Sequence, residues 1–350
     1  MELEHTGRQP GMEPSRRFRM RIVLAALVAA VAALIAVLVL ARGQTQSTSV
    51  GTGVVVIETN LGYQGGQAAG TGMVLTSSGE VLTNNHVIRG ATDIKVVVPS
   101  TGRSYSAEVV GYSVSDDVAV IQASGASDLK TASLGDSETV NAGQSVQAVG
   151  NAGGTGRLTT AAGTVTNVDR SITVNDDQGG SESLSGLIET NAAVKPGDSG
   201  GPLLNGDGEV IGMDTAASVA NEIDQTGTSA GYAIPINKAA AIAEQIDSGN
   251  DSATIHVGGT AFLGVEATSN SYGGSGAAIA TVVPGSPAEA AGLVPGDLIT
   301  SVGGHTVSSP DELSAIVMTQ KPGASVSAIF LDQEGATQTT NLTLASGPPR

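Results

Sequence analysis

From Val54 to about Pro235 apolar and polar residues alternate in short runs broken by turn residues: MVLTSSGEVLTNN, IKVVVPSTGRSYSAEVVGY, DVAVIQA, QSVQAVG, GTVTNVDRSITV and EVIGMDT. A period of two sends successive side chains to opposite faces of a strand. Many such runs at close spacing predict an all-β sandwich or barrel rather than βαβ units, with no helix among them. The period changes at Asn237, an N-cap candidate followed by KAAAIAEQI, in which Ile242 and Ile246 lie four apart and Gly249 supplies a stop. This helix closes a first domain over 53–250. After the polar stretch Asp247–Ala253 a second module is predicted over 254–345. There Ser286-Pro287-Ala288-Glu289 and Ser309-Pro310-Asp311-Glu312 each pair a capping hydroxyl with a glutamate three residues on and a proline at the first helical position. Two short helices among strands such as AIATVV, DLITSV and SVSAIFL make this module α+β. The tail, 346–350, ending Gly347-Pro348-Pro349-Arg350, is expected to be loose.

A different pattern precedes these domains. Ile22 to Ala41 is an unbroken apolar run without charge, about 30 Å long as a helix, and predicts a transmembrane helix over 22–41. Arg16, Arg17, Arg19 and Arg21 stand before it, which orients residues 1–21 to the cytoplasm and everything after Arg42 to the outside. Residues 42–52 are small and polar, a flexible linker. The alternative is a cleaved signal peptide, but the run exceeds an ordinary h-region and no A-x-A site follows it, which favours an uncleaved anchor.

Composition narrows the chemistry. With 350 residues the chain exceeds one core, and with 48 glycines and 2% aromatics its cores must rest on Val, Ile, Leu and Ala. Six of the 16 Lys/Arg and three of the 33 Asp/Glu fall within 1–42, so the remainder carries 10 bases against 30 acids. Such a field repels phosphate backbones and excludes nucleic acid as a partner. The absence of cysteine excludes disulfides, thiolate metal sites and a cysteine nucleophile. No metal or cofactor is indicated.

Three separated segments carry candidate chemistry. Thr83-Asn84-Asn85-His86-Val87-Ile88 places a histidine in a loop after an apolar strand, and it is the one imidazole of the β domain, since His5 precedes the apolar run and His256 and His305 belong to the second module. Ser115-Asp116-Asp117-Val118 opens a buried strand with a carboxylate, and Asp117, abutting the apolar run, is preferred over Asp116. Pro196-Gly197-Asp198-Ser199-Gly200-Gly201-Pro202 flanks a serine with glycines, so that backbone N–H groups can close on a carbonyl oxygen. The order His86, Asp117, Ser199 is that of chymotrypsin-like double β-barrels. In this reading Ser199 is the nucleophile, His86 its base, Asp117 the residue that orients the imidazole, and the N–H groups of Gly197 and Ser199 the oxyanion donors.

With Gly70-Thr71-Gly72, Ile188-Glu189-Thr190-Asn191-Ala192-Ala193 and Gly231-Tyr232-Ala233-Ile234-Pro235 added to these segments, residues 51–345 resemble the HtrA/DegP family, trypsin-like serine proteases joined to PDZ domains. The resemblance implies a membrane-anchored, extracytoplasmic endopeptidase for unfolded or tagged polypeptides, and a homo-oligomer, since such proteins often form trimers. A proteolytically weak, membrane-tethered PDZ chaperone or scaffold is the alternative. One departure stands at Asp198, where the family usually has Asn. The expectation is that local N–H groups or Lys195 hold this carboxylate without proteolytic activation. Ala193, Thr215, Ala216 and Ala230 are expected to line a pocket without an acid, suited to small or medium aliphatic side chains. Phe262-Leu263-Gly264-Val265, Gly285-Ser286-Pro287-Ala288 and Gly296-Asp297-Leu298-Ile299 resemble a PDZ domain. Its loop would offer the N–H groups of Leu263, Gly264 and Val265 to a peptide carboxylate, with Leu313, Ile316 and Val317 along the groove.

Overall fold

The computed structural model describes residues 51–63, 65–175, 181–217, 230–269 and 274–350. The segments expected to cross the membrane, 22–41, and to lie in the cytoplasm, 1–21, fall outside these residues. Among the described residues no helix is long and apolar enough to cross a membrane.

The alternating runs form strands. β1 (Val54–Leu61), β2 (Gly66–Val74), β3 (Glu80–Thr83), β4 (Asp93–Val98), β5 (Arg103–Ser113) and β6 (Val118–Ala123) pair antiparallel in the order β5-β4-β1-β2-β3-β6, and a β5–β6 pairing closes the ring. Inside it lie Val55, Ile57, Val81, Ile88, Val96 and Ile121, with Tyr112. A second closed barrel joins β7 (Ser145–Gly150), β8 (Thr159–Asn175), β9 (Ser181–Thr190), β10 (Pro202–Leu204), β11 (Val210–Ala217) and β12 (Gly231–Pro235). Closure leaves neither ring with an unpaired edge.

One helical turn, α1 (Asn85–Ile88), follows β3 and carries His86, where a loop was expected; four residues are too few to show a helical period. The predicted closing helix is α2 (Ile236–Asp247), capped by Pro235 rather than Asn237. The Asn237 side chain instead accepts from Ser137 N at 3.1 Å and donates to Asp136 at 2.8 Å. Ile242 and Ile246 of α2 share an apolar cluster with Leu82, Val118, Val149 and Met213, so the helix seals the junction of the two barrels. Each fully buried side chain of this size contributes about 1.5–3 kcal/mol.

β13 (His256–Val257) adds to β5, pairing with Tyr112 and Gly111, and leads out of the first module. β14 (Thr260–Phe262), β15 (Val265–Ser269) and β16 (Ala277–Val282) precede α3 (Pro287–Ala290). β17 (Leu298–Val302), β18 (His305–Thr306), α4 (Pro310–Met318), β19 (Ser325–Leu331), β20 (Thr337–Thr343) and β21 (Ala345–Gly347) complete the module. Both expected caps form, Ser286 accepting from Glu289 N at 3.2 Å and Ser309 from Glu312 N at 3.1 Å, but each glutamate side chain accepts from the N–H one residue before the cap, Gly285 at 2.6 Å and Ser308 at 2.8 Å, and so neither closes a full capping box. The tail departs from expectation. β21 pairs with β14, Pro349 is buried, Gly90 N donates to Pro349 O at 2.8 Å, and Asn85 Nδ2 donates to the main-chain oxygen of Arg350 at 2.8 Å. Two prolines remove donors and much of the conformational freedom, and the remaining carbonyls find partners on and just after α1. Tyr63 stacks on Phe262 at 5.2 Å and Tyr112 bonds Thr260 at 3.0 Å, two further ties between the modules.

Candidate active site

Strand register brings the first two candidate residues together. Thr83 of β3 pairs with Ala119 of β6, so the residues just after β3 face those just before β6. His86 Nδ1 lies 2.9 Å from Asp117 Oδ2 and 3.1 Å from Oδ1, and the His86 backbone N donates to Oδ1 at 3.0 Å. Asp117 sits at φ 53°, a left-handed conformation that Asp tolerates better than most residues, and Asn84 Nδ2 donates to its carbonyl at 2.9 Å. A second donor to Oδ2 is Thr215 Oγ1. The carboxylate is 3% exposed and the imidazole 35%, so the charge is enclosed while the ring reaches solvent. Asp116 turns elsewhere, to Lys238 at 2.8 Å and Ser113 at 2.8 Å. Burial pushes its carboxyl up, but those partners outweigh burial and hold it below the ordinary carboxylate range.

The serine sits in a turn anchored by its carbonyls. Pro196 O accepts from Gly153 N at 2.8 Å, Gly197 O from Thr71 Oγ1 at 2.7 Å, Asp198 O from Gly201 N at 2.9 Å and Ser199 O from Thr71 N at 2.9 Å. In a trans peptide the N–H points opposite the C=O. Anchoring Pro196 O and Asp198 O therefore turns the N–H groups of Gly197 and Ser199 the other way, and neither finds an acceptor among the described residues. The N–H groups of Asp198, Gly200 and Gly201 are all used, by Lys195 O, Asp214 O and Asp198 O. Gly197 has φ +98° and an added Cβ would stand 2.3 Å from Asn151 O; Gly200 has φ +83° and its Cβ would meet Thr71 O at 2.1 Å. The turn thus lies against β2 of the first barrel and against the segment after β7 of the second at distances only glycine permits. Ser199 Oγ donates to Thr215 O at 3.3 Å.

Behind the turn lie two buried carboxyls. Asp198 Oδ2 accepts from Lys195 N at 2.9 Å, while Oδ1 has no protein partner. The backbone N–H of Lys195, as expected, holds this side chain in place. Asp214 is 0% exposed and neither of its carboxyl oxygens has a partner. Burial raises both carboxyls above the ordinary range. For Asp198 the N–H and charge of Lys195 oppose the rise; for Asp214 the Asp198 charge adds to it, and the acid stands well above.

The expected pocket residues fall on neighbouring segments: Ala217 pairs with Gly231, and an added Cβ at Gly231 would stand 3.1 Å from Ala192 O. Ala193 is exposed six residues before Ser199, Ala230 is half-buried before β12, and Ala216 belongs to β11. Thr215 gives its hydroxyl to Asp117. In the second module Leu263 O accepts from Ala288 N at 3.0 Å and Gly264 O from Val283 N at 2.9 Å, and the N–H groups of Leu263 and Gly264 have no acceptor among the described residues. Val265 opens β15, which pairs with β16 on one side. Leu313 and Val317 are core residues of the module, 4% and 8% exposed, and Ile316 is half-buried beside them. Thr71 stands in the Gly70-Thr71-Gly72 motif without a role assigned from sequence; its hydroxyl joins Gly197 O to Asn151 N, and Asn151 escapes a reading of motifs because an asparagine at a strand end has no distinguishing pattern.

Comparison with known proteins matches a family described as Trypsin-like peptidase domain over residues 70–213 and one described as PDZ domain over residues 279–329. The chain is 34% identical over 304 residues to "Serine protease PepD" of Mycobacterium tuberculosis, which covers 83% of this chain and 63% of the relative. It is 34% identical over 296 residues to "Periplasmic serine endoprotease DegP" of Salmonella typhimurium, covering 81% and 59%. The chain therefore spans less than two thirds of the length of these relatives. Among solved structures, "HtrA-type protease AlgW with tripeptide" is similar with a TM-score of 0.50 and 26% identity, over 87% of this chain and 97% of that one.

Proposed function

We propose that this chain, which matches a trypsin-like peptidase domain followed by a PDZ domain and is similar to DegP and to HtrA-type proteases, is a serine endopeptidase working through Ser199, His86 and Asp117. The observation that carries the reading is the imidazole whose Nδ1 faces a buried carboxylate at 2.9 Å. A proton on Nδ1, bonded to Asp117, leaves the Nε2 lone pair to act as base. When a peptide is seated, rotation about χ1 of Ser199 takes Oγ from Thr215 O to Nε2. Oγ attacks the scissile carbonyl, Nε2 takes the proton, and the oxyanion forms against the free N–H groups of Gly197 and Ser199. His86 then protonates the departing amine, and water, activated by the same nitrogen, hydrolyses the acyl-enzyme. One oxyanion donor contributes about 3 kcal/mol in comparable sites.

The substrates in this proposal are unfolded or tagged polypeptides whose C-termini add a strand along β15, with their carboxylate on the N–H groups of Leu263, Gly264 and Val265. Ile316, beside the buried Leu313 and Val317, borders that groove. Ala193 and Ala230 suit a small or medium aliphatic side chain before the scissile bond. Residues 22–41 anchor the protein in the membrane with both domains outside. Reaction with a fluorophosphonate probe tests the chemistry. Labelling is expected in the native protein and absent from Ser199→Ala, whose kcat on an unfolded polypeptide should fall about 10⁶-fold. No labelling under any condition would instead favour a scaffold.

A further inference from the structure

Four hydrogen bonds at the nucleophile turn meet on Thr71, a residue that takes no part in the catalytic steps above. It lies on β2 and is 0% exposed. β2 pairs with β3 at Met73 and Val74 and not beyond, so the backbone groups of Thr71 are left to other partners. Its N–H donates to Ser199 O at 2.9 Å, and its carbonyl accepts from Thr83 Oγ1 at 2.8 Å. Its hydroxyl donates to Gly197 O at 2.7 Å and accepts from Asn151 N at 2.9 Å, so the one proton of the O–H and a lone pair are both committed. Gly197 O and Ser199 O belong to the peptide planes on either side of the plane that joins Asp198 to Ser199. Each plane is rigid, and holding the outer two by their oxygens leaves the Ser199 N–H between them one direction. The restraint has to come from outside the turn, because Gly197 and Gly200, which bracket Asp198 and Ser199, are residues that hold their own φ and ψ least well.

We propose that Thr71 is a positioning residue for the oxyanion donors: its amide and hydroxyl clamp the peptide planes that flank the Ser199 N–H, and its carbonyl ties this clamp to the strand that leads to His86. The inference rests on the peptidase reading. Thr83 closes β3, which runs directly into α1 and its imidazole, so one residue of the first barrel registers the base and the oxyanion donors against each other. Through Asn151 N the same hydroxyl also reaches the end of β7, where Asn151 O and Gly153 N abut the turn at Gly197 and Pro196. The two branches of the side chain have separate tasks. The hydroxyl aims the Gly197 plane, while the methyl packs beside Gly201, where an added Cβ would stand 3.1 Å from Thr71 Cγ2.

Thr71→Val keeps the shape and removes the O–H, whereas Thr71→Ser keeps the O–H and removes the methyl. The measurement is kcat and KM on a short chromogenic peptide, counted per site that a fluorophosphonate labels, so that a smaller folded fraction does not enter. In Thr71→Val a buried carbonyl and a buried N–H both lose their partner, and kcat should fall about 10–100-fold with KM little changed, while Thr71→Ser should stay within about threefold of the native protein. A peptide aldehyde gives a second reading. Oγ adds to its carbonyl carbon, the Ser199 proton passes to His86, and the aldehyde oxygen comes to lie on the N–H groups of Gly197 and Ser199. Its inhibition constant should rise in Thr71→Val by the factor that kcat/KM falls. A residue that only supported the fold would lower the melting temperature and the labelled fraction and leave kcat per labelled site as it was. Should Thr71→Val not fold, Thr71→Ala against Thr71→Ser compares the same hydroxyl in a roomier site. Native kcat without the hydroxyl, equal losses in Thr71→Val and Thr71→Ser, or a rise in KM in place of the fall in kcat would each overturn the positioning role and leave the peptidase reading standing. A native protein that no fluorophosphonate labels would overturn both.

Discussion

The loop around Gly197 and the loop around Gly264 solve the same problem with different supports. In each, carbonyls are tied to neighbouring N–H groups and the adjoining N–H groups are left without acceptors, and in each a glycine at positive φ, +98° or +88°, makes the arrangement possible. Around Gly197 the anchors come from β2, from the Asn151–Gly154 segment and from a layer of buried polar side chains. Around Gly264 the support is the start of α3, where an added Cβ would stand 2.1 Å from Ser286 Cβ, and an apolar core lies beneath. Donors that stabilise a transient oxyanion need fixed geometry and a dry surround. Donors that take a peptide carboxylate need only be unpaired and close to an open strand edge.

Substitution separates the two. Gly197→Ala drives a Cβ into Asn151 O, so kcat on a short chromogenic peptide should fall about 10²–10³-fold with KM little changed. Equal losses in kcat and in C-terminal peptide binding would mean the loops are one unit. Gly264→Ala should do the converse. Binding of a peptide with a free C-terminal carboxylate, read by fluorescence anisotropy, should weaken about tenfold or more, from left-handed strain of about 1–2 kcal/mol plus the clash, while the short peptide is cleaved as before.

The smallest effect belongs to a residue outside both loops. Glu80 has its carboxyl pushed up to about 7 by burial first and then by Asp247. Because its folded pKa exceeds the ordinary 4.5, its contribution to stability is complete below that value and is lost as pH rises to about 7. Glu80→Gln should therefore raise the melting temperature above pH 7 and leave it unchanged near pH 4. A gain confined to acid would reverse the assignment.

Much of the molecule was legible from periodicity and composition. The alternating runs became strands, the capping hydroxyls became helix starts, and the glycines around Ser199 marked the turn. What escaped was whatever depends on strand pairing. The role of Thr71, quoted only as part of Gly70-Thr71-Gly72, becomes visible when β2 passes under the turn that holds Ser199, and Asp214 becomes significant only because β11 pairs its backbone with Gly201. Thr215 was assigned to a pocket, yet its hydroxyl reaches Asp117, a contact 98 residues away along the chain. The docking of 346–350 was missed because a segment of Ser, Gly, Pro and Arg shows no period, and its partners, β14, the Gly90 N–H and the Asn85 side-chain amide, lie far away along the chain.

That last segment ties the second module to the residue beside the candidate base. Asn85, which grips the main chain of Arg350, is the immediate neighbour of His86. The strand that ends at Gly347 belongs to the PDZ domain, and between them stand only Pro348 and Pro349, two of the stiffest links a polypeptide has. Displacing β14 and β21 would therefore strain the bonds at Gly90 and Asn85, which lie on and just after the turn that carries the His86 imidazole.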